Sequence, residues 1–169
     1  LSLLVGLPKI WVATPPGFYP VVRTSLLDRI QAWSSARRAR TETAAGHHLA
    51  AVTLWGNALA NNPASITLLR EAIANVIQCE PLDRRLATHA LNSTYWLLRL
   101  TQTNRQDVTL AAQVYGRCGL PGDVYELLRP RQDALVPAEE GPYLKALFHA
   151  GELDDFRRRW DQLGSRTAA

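Results

Sequence analysis

Apolar residues recur along most of this chain at intervals of three and four, the signature of helices that bury one stripe. Leu26, Leu27, Ile30 and Trp33 begin such a stripe, which Ser25 is placed to cap and which runs on toward Ala44. A second, Ala51, Trp55, Ala58 and Leu59, lies between Gly46 and Pro63. Ser65 introduces a third helix over 66–79, with Leu69, Ile73, Val76 and Ile77 on one face. Pro81 opens a fourth, about 82–101, at the first turn, where a missing N–H costs nothing. Its apolar positions are Leu86, Ala90, Leu91, Tyr95, Leu97 and Leu98. Ala112 and Tyr115 precede Gly119, and Val124, Leu127 and Leu128 follow it on a short helix ended by Pro130. Leu144 and Leu147 precede Gly151, and Phe156, Trp160 and Leu163 follow it. The period-two alternation of strands is nearly missing, Val21-Val22 being the one local candidate. The pattern predicts an all-α chain, with an irregular loop over 131–137.

The glycines punctuate this pattern. Gly46 permits the left-handed turn between two antiparallel helices, Ala51 lets the second approach closely, and Pro63 stops it. The run Gly46, Ala51, Trp55, Ala58, Leu59 and Pro63 resembles the second half of a tetratricopeptide repeat. Gly119 lies 73 residues after Gly46, or two units of 36.5, and Gly151 a further 32 on. These intervals bracket the family's repeat of about 34 residues. The resemblance implies a right-handed α-solenoid of about four antiparallel helix pairs over 25–165. The chain departs from the family at Glu42 and Ser35, where aromatics are preferred, and at Glu80, where no glycine marks the turn.

In such repeats the first helix of each pair lines a concave groove that holds a peptide or a partner's helix. On this numbering the resemblance places Trp33, Arg37, Arg40, Arg70, Gln113 and Arg117 in that groove. Several guanidinium forks suit acidic ligands through bidentate bonds. The asparagines with which the family clamps a C-terminal carboxylate are missing, a departure that counts against capture of a chain end and leaves recognition of an acidic protein or peptide open.

Composition narrows the classes. A chain of 169 residues, 47% apolar and 20% charged, can bury a sizeable core. Met is absent, and the chain reads as a fragment or a processed product. Residues 1–24 form an apolar, proline-rich segment. Leu1 to Ala13 has one charge, Lys9, and falls short of the roughly 20 residues a bilayer span needs. It reads either as the exit end of a span that starts upstream of Leu1, with Trp11 at the interface, or as an apolar segment packed on the domain. Thr14-Pro15-Pro16-Gly17-Phe18-Tyr19-Pro20 then acts as a linker.

All the basic residues but Lys9 and Lys145 are arginine, and the net charge is +4. So small a surplus argues against nucleic acid as the partner. Arg37-Arg38-Arg40 reads as a solvated helix face or as a basic segment facing anionic lipid. On the membrane reading Lys9, Arg23, Arg29 and this cluster favour a membrane-associated protein on the cytoplasmic face.

Candidate chemistry is sparse. Cys79 and Cys118 are isolated, both on helices in this reading, and no metal-ligand spacing accompanies either. His47-His48 point about 100° apart and read as exposed turn residues. His89 and His149 stand alone. Glu139-Glu140 and Asp154-Asp155 occupy first turns, where the helix dipole stabilises negative charge. Gly119-Leu120-Pro121-Gly122-Asp123 reads as a turn followed by an N-cap, and no phosphate loop or nucleophile elbow is present. Trp55 and Trp160, each nine residues after a turn glycine, are expected in the core. An arginine stacked on Trp33 is expected nearby, and one of Tyr95 and Trp96 faces outward.

These features imply a non-catalytic protein interaction scaffold without metal or cofactor, either tethered to a membrane by sequence upstream of Leu1 or soluble in the cytoplasm. The alternative is an accessory helical domain of a larger membrane-associated enzyme, such as one handling cell-envelope polysaccharide, with its catalytic part elsewhere.

Overall fold

A computed structural model describes residues 10–11 and 23–167. The apolar run of residues 1–13, apart from Ile10 and Trp11, lies outside them, as do the proline-rich linker and Val21-Val22. Among the described residues the chain is helical, with eight α-helices: α1 (Leu26–Ala44), α2 (His48–Asn61), α3 (Ile66–Val76), α4 (Arg84–Thr101), α5 (Arg105–Arg117), α6 (Pro121–Leu128), α7 (Pro137–Ala150) and α8 (Leu153–Thr167). A two-residue antiparallel ladder joins β1 (Ile10–Trp11) to β2 (Arg23–Thr24), Ile10 opposite Thr24. None of these helices is long and apolar enough to cross a membrane.

Local chemistry sets the helix starts. Ser25 and Asp28 form a reciprocal capping box on α1, and Ser65, Asp83 and Asn104 cap α3, α4 and α5. Gly46, Gly119 and Gly151 take φ of 78°, 71° and 77° between consecutive helices, the conformation for which an L side chain is strained. The turn between α3 and α4 uses no glycine. The chain leaves α3 at Val76, three residues before the expected end, and passes a cis Glu80–Pro81 bond before Asp83 caps α4. Pro81 therefore lies outside the helix it was expected to open. Leu120, not Asp123, is the N-cap of α6, with Pro121 in its first turn. Pro130 does not end the helical path either, because a 3-10 helix carries it from Arg129 to Ala134. That turn and the start of α7 replace the loop expected over 131–137.

The contacts divide the chain into two compact units that meet at Thr103 and Asn104. In the first, α1 packs on α2, α2 on α3 and α3 on α4. In the second, α5 packs on α6 and α7, α6 on α7 and α7 on α8.

The core of the first unit is built from small residues. Ala32, Ala36 and Ala39 of α1 bury against Ala51, Trp55 and Ala58 of α2 and Leu68 and Ala72 of α3. Alanine on facing helices lets the backbones approach closely, and Trp55 fills the space left between them. The residues expected to form the buried stripe of α1 are instead outside: Leu26, Leu27, Ile30 and Trp33 are all about half exposed or more. The physical reason is that α1 has two apolar faces, one small and one large, and the small one fits the neighbouring helices.

In the second unit Val108, Val114, Val124, Leu128, Tyr143 and Leu147 are fully buried. Trp160, expected in the core, is 61% exposed at the edge of an aromatic row with Phe156 and Phe148. Arg159 takes the inward position on α8, its guanidinium 5.2 Å from the Tyr143 ring and paired with Glu140 at 2.9 Å. Glu139 is wholly buried yet satisfied. It accepts from Arg105 at 2.8 Å, from the Thr109 hydroxyl at 2.7 Å and from the Val136 amide at 3.1 Å, fastening the start of α7 to α5.

Candidate functional site

Trp33 and Arg37 lie on the outward side of α1, four residues and so about one turn apart. The Arg37 guanidinium sits 5.8 Å over the indole, the stacking anticipated for Trp33. Leu26, Ile30, Trp33 and Arg37 follow the i, i+4, i+7, i+11 spacing of one helical stripe, with Leu27 beside it. Arg29 and Arg38 are exposed on the same helix. Its two acidic side chains are engaged elsewhere: Asp28 in the capping box and Glu42 with His47 at 3.0 Å. The outward strip is therefore apolar and cationic.

Arg40 is placed differently. Its Nε and Nη2 donate to the two carboxylate oxygens of Glu71 on α3 at 2.8 and 3.1 Å, while its guanidinium lies 5.9 Å from the Trp55 ring. A fork used in this way holds α1 to α3 and offers less to a ligand than Arg37 does. Arg70 is half-buried on α3. On α5, Arg117 is exposed and Gln113 half-buried. Trp33, Arg37, Arg40 and Arg70 thus belong to the first unit, and Gln113 and Arg117 to the second.

Inside the first unit runs a polar chain that the apolar pattern concealed. Asn75, 1% exposed, donates from Nδ2 to the His48 carbonyl at 2.9 Å. Its Oδ1 accepts from the Thr43 hydroxyl at 2.9 Å and from His48 Nδ1 at 3.0 Å, which fixes the His48 tautomer with its proton on Nδ1. Trp55 Nε1 donates to Thr43 at 3.3 Å. His48 is consequently a half-buried structural residue and not the exposed turn residue expected. The signal was an asparagine among Ile73, Val76 and Ile77 on the inward face of α3.

A second concave surface lies between α2 and α4. Its central depression, about 360 Å³, is lined by the apolar Leu49, Val52, Gly56 and Leu86 and by Thr53, Asp83, Arg85 and His89. One neighbouring depression shares Leu49, Asp83 and Leu86 and extends toward His48, Cys79 and Pro81. Another shares Arg85 and His89 and extends to Arg84, Thr88 and Asn92. Leu49 is 69% exposed. Gly56 lies inside α2 with ordinary helical φ, and a Cβ built on it would meet nothing within 4 Å. Glycine there costs about 1 kcal/mol relative to alanine with no local packing to require it.

Cys79 follows α3 rather than lying on it, and Cys118 is the C-cap of α5; both are free thiols. Burial raises the Cys79 thiol above its usual range, and Asp83 adds to the shift. Among the described residues no three His, Cys, Asp or Glu side chains gather where a metal ion could be held. Comparison of the chain with protein-family models, with curated proteins and with solved structures found no match.

Proposed function

We propose that this protein is a non-catalytic interaction scaffold of tetratricopeptide-like helix pairs, and that the outward strip of α1 receives an acidic amphipathic helix or peptide. The observation that carries this reading is the strip itself. Leu26, Leu27, Ile30 and Trp33 stand exposed beside Arg29 and Arg37, although α1 has already met its packing needs through alanine. Burying such a side chain from full exposure is worth roughly 1.5–3 kcal/mol, and covering the exposed half of each contributes about half as much, still a driving force for association. Tryptophan and arginine are also the residues that most often dominate binding energy at interfaces. The left-handed glycines at three expected turns support the helix-pair reading.

The test is a displayed library of amphipathic helical peptides with acidic flanks, selected on the whole protein. Trp33→Ala and Arg37→Glu are each expected to weaken the selected binders at least tenfold while leaving the far-ultraviolet circular dichroism unchanged. Binders indifferent to both changes would remove α1 as the site.

The same strip supports a second reading, peripheral attachment to anionic lipid, because four apolar side chains beside Arg29, Arg37 and Arg38 have the make-up of an interfacial helix. Co-sedimentation with vesicles rich in phosphatidylserine separates the two. Lipid binding lost with Trp33→Ala, together with a library that yields no binder, would favour the membrane.

A further inference from the structure

The α2/α4 surface shares no residue with the α1 strip, and three of its features lack a structural purpose. Gly56 weakens the middle of α2 while leaving open space above it. Arg84 and Arg85 occupy the first turn of α4, the positive end of the helix dipole, where cations are disfavoured. Neither has a carboxylate partner among the described residues. His89 lines two of the three depressions, and its Nδ1 is closed off from solvent without a hydrogen-bond partner.

From these features we infer that the α2/α4 groove is a second binding site, for an extended peptide segment that carries a bulky apolar residue and, a few residues along, a carboxylate. The apolar side chain sits over Gly56 among Leu49, Val52 and Leu86, where the missing Cβ lets it approach the α2 backbone. The carboxylate lies at the Arg84 and Arg85 end, pairing with the two guanidinium groups. Asp83 stands at the same end as the N-cap of α4, its carboxylate held by the Leu86 amide at 2.8 Å and by neither arginine. Along α4 the groove as a whole runs nine residues, from Asp83 to Asn92, or about 14 Å. A segment of four extended residues spans about the same distance.

The experiment uses the whole isotope-labelled protein and acetylated, amidated pentapeptides of the form apolar-Ala-Ala-acidic-acidic. Leu, Ile, Phe and Trp fill the first place, and Asp or Glu the last two. Amide shifts are expected at Leu49, Gly56, Arg85 and His89, with a submillimolar Kd for at least one peptide. Replacing its acidic residues by Asn or Gln weakens it at least tenfold, as does Arg85→Glu on the protein. Gly56→Trp abolishes binding, Gly56→Ala leaves the fold intact as the control, and Trp33→Ala has no effect. That last outcome keeps this site distinct from the α1 proposal, so either can fail alone. Absence of groove shifts with every peptide, equal binding of the uncharged peptides, or undiminished binding to folded Gly56→Trp or Arg85→Glu would each overturn the inference.

Discussion

At the scale of single residues, Asn75 is the most consequential side chain of the first unit. It joins the α1 side chain of Thr43, the α2 backbone and side chain of His48 and its own helix α3 in one network. Asn75→Ala removes the acceptor of the Thr43 hydroxyl and of His48 Nδ1 and a donor to the His48 carbonyl; a buried group left unpaired costs about 1–3 kcal/mol, so a loss of about 2–3 kcal/mol overall is expected in urea unfolding. Asn75→Leu would do no better, because an apolar group of similar size leaves the Thr43 hydroxyl and His48 Nδ1 equally without their acceptor. A change within about 0.5 kcal/mol would mean that water replaces the amide. Periodicity could not reveal this residue's role, since it measures how apolar a position is and not which polar atoms meet there. Trp55 was legible because its place after Gly46 fixes it between two helices, whereas Trp160, at the same spacing from Gly151, meets no such neighbour and stays outside.

At the scale of the element, glycine has opposite meanings on the two sides of one short turn. Gly46 ends the first hairpin's turn at φ 78°, and Gly56 sits in the interior of the next helix. Gly46→Ala forces an L side chain into the left-handed region and is expected to cost about 1 kcal/mol. Gly56→Ala removes a helix-weakening residue where space is open and is expected to stabilise by up to about 1 kcal/mol. Thermal unfolding of the two variants should therefore move Tm in opposite directions, and equal shifts would contradict the conformations described.

Helix positions were largely readable because caps and glycines are local chemistry: Ser25, Ser65, Gly46, Gly119 and Gly151 all act where their sequence neighbours place them. Which face of a helix turns inward was not. In α1 the choice between Leu26, Ile30 and Trp33 on one side and Ala32, Ala36 and Ala39 on the other depends on how closely α2 and α3 approach. The α3–α4 connection escaped for a related reason, since a proline after Glu80 is compatible with opening a helix or with preceding its cap.

At the scale of the molecule, each of the two units carries a group whose ionisation opposes folding. Burial raises the Cys79 thiol in the first and, as the largest cause, the Tyr143 phenol in the second. Both groups are neutral below their unfolded pKa values in either state, so they leave stability unchanged near neutrality. Above about pH 9 the unfolded chain loses these protons more readily than the folded one, and stability falls as pH rises. Urea midpoints are expected to decline from about pH 9 to 11, with Cys79→Ala reducing the earlier part of the decline, to which the Cys118 thiol, also raised by burial, contributes. A flat profile would mean that neither group ionises more readily in the unfolded chain. The α2/α4 groove was not legible in sequence, because it arises from helices whose residues lie about thirty positions apart. Only Gly56 and the Arg84-Arg85 pair hinted at it, each a residue type misplaced for helix stability alone.

The alanine face of α1 has one more consequence, for how such a protein changes over time. Folding constrains Ala32, Ala36 and Ala39, which tolerate little enlargement, and leaves Leu26, Ile30, Trp33 and Arg37 answerable only to what they touch outside. On the function proposed above, drift in the outward residues would alter recognition while the helical core stays intact, so a lineage could exchange one partner for another without passing through an unfolded ancestor.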